Sequence, residues 1–305
     1  MADFESRDNP YNVTQASRIY FLPNLMTAGN LFCGFVAVIR CIQARLITDA
    51  GQYATAHAHQ TWMDLYTSSV WLILAAVVFD CLDGRLARLG GRTSLFGAEF
   101  DSLADVVSFG VAPALMVFFL ILAPREEYQW FRSFGWVIAF IYLLCAAVRL
   151  ARFNVITNPL LHQSSMESHN DFVGLPVPAA AGTVASMVLL LLHLADNEKS
   201  LHRWTLILPL LLILISFLMV STIRYPSFKH IDWQTKTRFN TFVAVLAAVT
   251  LIIFLREIAF FFIFLSYIAY GIITHWQRIA RHSKIRSLRR MTVKKHPEQP
   301  PTTSA

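Results

Sequence analysis

Asp80-Cys81-Leu82-Asp83-Gly84-Arg85-Leu86-Ala87-Arg88, followed by Gly97, Asp101 and Asp105, continues directly from an apolar run ending at Phe79. Four aspartates, together with Gly84, Ala87, Arg88 and Gly97, fall at fixed spacing within the 26 residues from Asp80 to Asp105. Carboxylates at membrane depth are costly and rarely kept without a partner, so their grouping marks a functional site. The natural partner of grouped carboxylates is a divalent metal.

Spacing sharpens this reading. If the run Trp71 to Phe79 continues as helix, Asp80, Asp83, Gly84 and Ala87 are offset by three, four and seven residues and share one face. A second helix starting near Gly97 puts Asp101 and Asp105 four apart, again on one face. Two such faces opposed across a short turn hold hard oxygen ligands of the kind Mg²⁺ or Mn²⁺ requires, with positions left for phosphate oxygens. Gly84, Ala87 and Gly97 lack bulk where a ligand must approach the backbone. Arg88 adds a fixed cation for phosphate.

Composition places the chain in the membrane class independently. It is 55% hydrophobic and only 15% charged, with a mean hydropathy of +0.49. Eight apolar runs are expected to span a bilayer as an all-α bundle: Pro23 to Val38, Thr67 to Phe79, Ala104 to Leu122, Gly135 to Val148, Ala179 to Leu194, Leu206 to Val220, Phe239 to Leu255 and Ile258 to Ile273. The second is short, and its helix is expected to extend backwards through Leu65 and forwards through the acidic motif. Met1 to Ser17 is polar and contains acids, so no cleavable signal peptide is expected there. Residues 1–18 read as an N-terminal segment and 277–305 as a basic tail, solvated or at the lipid surface.

With eight spans, both termini and the loops after spans two, four and six share one side, which carries 19 of the 26 Lys and Arg residues. The positive-inside rule makes that side cytoplasmic. The acidic motif lies there too. Cys33, Cys41, Cys81 and Cys145 are scattered singly in or next to apolar runs, which fits packing rather than metal or disulfide chemistry. His57 and His59, on the other side, lack further ligands nearby and are not expected to bind metal.

The motif D-x2-D-G-x2-A-R-x8-G-x3-D-x3-D, satisfied here at every fixed position, resembles that of the CDP-alcohol phosphotransferase family. Those integral membrane enzymes move a phosphoryl-containing group from a CDP-alcohol to a second alcohol and release CMP. Further segments look like the bacterial and archaeal phosphatidylserine synthase branch: Leu22-Pro-Asn-Leu-Met-Thr27, Gly29-Asn-Leu-Phe-Cys-Gly34, Ser108-Phe-Gly-Val-Ala-Pro-Ala114, Arg149-Leu-Ala-Arg-Phe-Asn154, Phe172-Val-Gly-Leu-Pro-Val-Pro-Ala179 and Ser221-Thr-Ile-Arg-Tyr-Pro-Ser-Phe-Lys229. The resemblance covers a core of about residues 19–229, with 230–276 read as an additional helix pair.

That resemblance implies a transfer of the phosphatidyl group of CDP-diacylglycerol to the hydroxyl of L-serine. Asp80, Asp83 and Asp101 would hold one or two divalent ions, and Asp105 would act as general base or as a further metal ligand. Asn24 and Thr27, three apart on one face, suit either a cytosine edge or an interhelical polar contact; in the family this element lines the nucleotide pocket. Arg149, Arg152 and Lys229 are candidates for phosphate or for the serine carboxylate, with snorkelling to headgroups the alternative for the two arginines. Gly174, Pro176 and Pro178 either shape a pocket or simply start span five. A homodimer in the bacterial cytoplasmic membrane is expected, with membrane lipid as a partner and no nucleic acid. Two alternatives remain: another acceptor such as glycerol 3-phosphate, inositol phosphate or choline, and a cation or proton transporter.

Overall fold

Inside a bilayer an apolar segment can satisfy its backbone only as a helix or in a closed barrel, and the long apolar runs among the described residues form helices. A computed structural model of the chain describes residues 21–49, 56–89, 95–122, 129–157, 172–198, 207–225 and 256–295. Its helices are α1 (Phe21–Asp49), α2 (Ala56–Leu89), α3 (Leu95–Asp105), α4 (Ala112–Val117), α5 (Gln129–Thr157), α6 (Val177–Glu198), α7 (Ile207–Val220) and α8 (Arg256–Lys295). Six candidate spans result: Phe21–Ile47, His59–Leu86, Phe96–Leu122, Phe134–Ile156, Val177–Leu194 and Ile258–Arg278. The apolar helix α7 is shorter. Seven of the eight expected runs therefore coincide with described helices, and Phe239 to Leu255 lies outside the described residues.

The expected extension of the second span is observed. α2 runs unbroken through the acidic motif to Leu89, with Leu82, Arg85, Leu86, Ala87 and Arg88 as strong helix formers offsetting Gly84. α3 starts at Leu95, two residues before Gly97. After Asp105 the helix widens into π-helical turns at Val106–Val111 and Phe118–Leu122, on either side of α4. Such wide turns inside α-helices cluster at functional sites.

α1 lies along α2 in the most extensive helix pairing of the molecule, and it also meets α3 and the first π-helical turn. Gly34 permits the second contact. A Cβ there would overlap the hydroxyl and backbone of Ser108, so α1 approaches the π-helical turn as closely as a glycine allows.

Two short strands, Phe172–Val173 and Arg224–Tyr225, pair antiparallel and join the segment before α6 to the segment after α7. The sequence held no alternation to announce them. Gly174, at φ +82°, makes the turn that follows, its N–H donating to the Ile223 carbonyl at 2.8 Å. α6 then begins at Val177 with Pro178 in its first turn, so the helix-starting role of these residues holds.

At the other end of the chain the expected boundary between a final span and a basic tail is not a break in structure. α8 continues from Arg256 through Lys295, since residues 275–295 contain neither Gly nor Pro and are rich in Arg and Lys, which favour helix. α8 packs on α6 and on the second strand.

Replacing Gly34 by Ala should destabilise the protein by about 1–3 kcal/mol, the usual cost of overpacking a tight contact. Gly84→Ala is the matched control. A Cβ at that position has nothing within 4 Å, so thermal unfolding in detergent should show Gly84→Ala at or slightly above the parent and Gly34→Ala clearly below it.

Candidate active site

The two acidic pairs come from α2 and α3, and the helical periods of both elements turn them toward each other. One carboxylate oxygen from each of Asp80, Asp101 and Asp105 lies within 4.8 Å of the others. Asp83 adjoins the group, its carboxyl within hydrogen-bonding reach of Asp101. The four predicted carboxylates thus share one place in the fold, at the end of α2 and the start of the third span.

α1 closes one wall. Thr27 Oγ1 lies 3.1 Å from Asp83 Oδ2 and 3.2 Å from the Pro23 carbonyl, with one proton to share between them. Asn30 Nδ2 donates to Asp105 Oδ1 at 3.0 Å, and Ser108 Oγ donates to the Asn30 carbonyl at 2.8 Å. Asn24, one turn before Thr27, carries a buried amide nitrogen with no hydrogen-bond partner among the described residues. A buried donor left unpaired in a site of this kind fits a ligand acceptor.

α5 closes the opposite wall. Arg149 is buried, within electrostatic reach of Asp105 and Asp80, and its guanidinium carbon sits 5.4 Å from the centre of the Phe153 ring. Arg152 is exposed instead. α5 is held in register with the acidic helix by Asn154, whose Nδ2 donates to Ser102 Oγ at 2.8 Å. Tyr267 of α8 lies within electrostatic reach of Arg149 and packs its ring 5.8 Å from that of buried Tyr225.

The helix surface at Gly84 is open, with nothing within 4 Å of a Cβ placed there. Gly97 stands one turn before Asp101 on α3. Ala87 and Arg88 occupy the last turn of α2, their side chains outside the described part of the structure. Lys229 lies outside the described residues altogether.

A divalent ion fits the donors present. Asp80, Asp101 and Asp105 offer three hard oxygens in one cluster, and Asp101 Oδ1 is buried with no hydrogen-bond partner among the described residues. An unpaired carboxylate oxygen in a nonpolar setting is costly unless a cation completes it. Spacing alone had identified these acids. It had not singled out Asn30, Ser108 or Phe153, although a lone Asn in an apolar span is itself a signal of function.

Residues 20–215 match the CDP-alcohol phosphatidyltransferase family. The chain is 36% identical over 259 residues to the CDP-diacylglycerol–serine O-phosphatidyltransferase of Helicobacter pylori strain J99, an alignment covering 84% of this chain and 91% of that protein. It is 36% identical over 166 residues to the Saccharomyces cerevisiae protein of the same name, covering 54% of this chain and 52% of that one. To the archaetidylserine synthase of Methanothermobacter thermautotrophicus it is 31% identical over 207 residues, with 67% and 69% covered.

Mn²⁺ titrated into the purified protein without substrates, and followed by the paramagnetic resonance of the free ion, should bind. Asp101→Asn should weaken that binding by at least about tenfold. Ser102→Ala, which removes the neighbouring contact to Asn154 but no carboxylate, should stay within about threefold of the parent.

Proposed function

Because this chain belongs to the CDP-alcohol phosphatidyltransferase family, we propose that it transfers the phosphatidyl group of CDP-diacylglycerol to the hydroxyl of L-serine and releases CMP. The observation that carries the reaction class is the meeting of Asp80, Asp101 and Asp105 within 4.8 Å. Serine as acceptor rests on the relatives, each of which has a serine-linked product or substrate in its name.

Asp80, Asp83 and Asp101 are the residues to hold Mg²⁺ or Mn²⁺, with Asp105 beside them as general base or as a further ligand. The bound ion supplies charge neutralisation for the pyrophosphate and for the departing CMP. Asp105 accepts the proton of the serine hydroxyl as that oxygen attacks the lipid-side phosphorus. One P–O bond forms to serine and the P–O bond to CMP breaks, the electron pair leaving with the CMP phosphate. Asn24 and Thr27 line the nucleotide side, where the unpaired Asn24 amide suits a cytosine acceptor. Gly84, Ala87 and Gly97 keep the helix surfaces low enough for the pyrophosphate to lie against them, and Arg88 meets phosphate. Arg149 suits the serine carboxylate or a phosphate oxygen, with Arg152 and, outside the described residues, Lys229 as weaker candidates.

The membrane setting follows the same reading. Six candidate spans are described, and we take the full bundle to have eight, with Phe239 to Leu255 and α7 supplying the others. That topology puts the carboxylates, both termini and most of the basic residues on the cytoplasmic face of a bacterial inner membrane. Residues 19–229 form the catalytic core, 230–276 add a helix pair and 277–305 carry the basic end. The family resemblance favours a homodimer.

Purified protein given CDP-diacylglycerol and Mn²⁺ or Mg²⁺ should release CMP at least about tenfold faster with L-serine than with glycerol 3-phosphate, inositol phosphate or choline, a difference of about 1.4 kcal/mol or more in transition-state binding. Faster release with one of the other alcohols would reassign the acceptor. No release with any alcohol, together with metal-dependent cation flux in vesicles, would replace the enzyme by a transporter.

A further inference from the structure

Asn30 stands out as a polar side chain that the reaction above does not use. It is fully buried in the apolar middle of α1. Its amide nitrogen reaches across to Asp105 Oδ1 at 3.0 Å, while its amide oxygen is buried with no hydrogen-bond partner among the described residues. A fold selected only for stability would not keep such a group, since a half-satisfied buried amide is worse than an apolar residue of similar size.

The surroundings fix that amide rather than let it turn away. Ser108, in the π-helical turn that directly follows Asp105, donates to the Asn30 backbone carbonyl at 2.8 Å. Gly34, one turn further along α1, lets Ser108 approach this closely. α1 and the third span are therefore locked at two adjacent points. The lock sets where Asn30 Nδ2 stands relative to Asp105.

We propose that Asn30 is a positioning residue for the transfer reaction: by donating to Asp105 Oδ1 it fixes the rotamer of that carboxylate and leaves Oδ2 directed at the acceptor hydroxyl. This rests on the reading of Asp105 as general base. A carboxylate with one oxygen tied to a rigid neutral donor presents its second oxygen in a single direction, which is what proton removal from a bound alcohol needs. A neutral amide does this without adding a charge to a cluster of four acids. Its cost in unsatisfied oxygen is accepted because the benefit appears only in turnover.

The test uses the full-length protein in detergent with CDP-diacylglycerol, L-serine and Mn²⁺. Asn30→Ala removes the donor, and Asn30→Leu removes it while keeping the bulk of the side chain. Both should lower kcat by about 10- to 100-fold, the effect of losing one hydrogen bond to a charged group. The KM for each substrate should stay within about threefold, and the thermal midpoint of Asn30→Ala should fall only modestly, because Asp105 Oδ1 loses its donor while the unsatisfied amide oxygen of Asn30 leaves with it. Should Asn30→Ala not purify as folded protein, Asn30→Leu is judged by the same kinetic criteria. A kcat within threefold of the parent in either folded variant overturns the proposal, as does a loss of kcat matched by a drop in thermal midpoint and weakened lipid binding. If the parent itself releases no CMP with serine, the reading of the reaction fails instead, and the two failures are told apart by that first measurement.

Discussion

Three carboxylates with oxygens within 4.8 Å of one another, and a fourth beside them, repel in any medium, and the repulsion grows as water is excluded. Everything around this cluster can be understood as what makes it tolerable. α2 and α3 each bring two acids at helical spacing. α1 supplies neutral donors from Thr27 and Asn30, and α5 supplies the buried guanidinium of Arg149. Among the described residues these contacts offset the four acids only in part, and the divalent ion proposed above would supply positive charge among them.

The same constraint explains which helices touch. The close passage of α1 over the π-helical turn, at Gly34 and Ser108, is where donors on one helix meet acceptors on another. Ser102 and Asn154 perform the equivalent task between α3 and α5. Polar contacts between helices in a bilayer are individually modest. Here they are placed at one end of the bundle, where they determine distances among charged groups.

Much of the site was legible in the sequence because helix geometry converts spacing into position: Asp80 and Asp83, then Asp101 and Asp105, could be put on facing sides before any contact was known. Membrane-spanning helices were equally plain from the apolar runs. What periodicity could not reach were contacts between elements far apart in the chain. Asn30 and Asp105 are separated by 75 residues, and nothing local to Asn30 names its partner. Arg149 and Arg152 looked alike in sequence, yet one is buried near the acids and the other is exposed, a difference set by the rotation of α5 in the bundle. The pairing of Phe172–Val173 with Arg224–Tyr225 is too short to leave any alternating pattern, and the continuation of α8 into the basic segment reflects helix-favouring residues that had been read for charge alone.

The central claim is that the serine hydroxyl attacks the lipid-side phosphorus within this carboxylate cluster. L-serine labelled with ¹⁸O in its hydroxyl, incubated with the protein, CDP-diacylglycerol and Mn²⁺, tests it directly by mass spectrometry of both products. The account predicts that the label stays wholly in the bridging oxygen of phosphatidylserine and that the released CMP is unlabelled. Label in a serine-linked CMP with phosphatidic acid as co-product, or CMP formed at the same rate without serine, would contradict it.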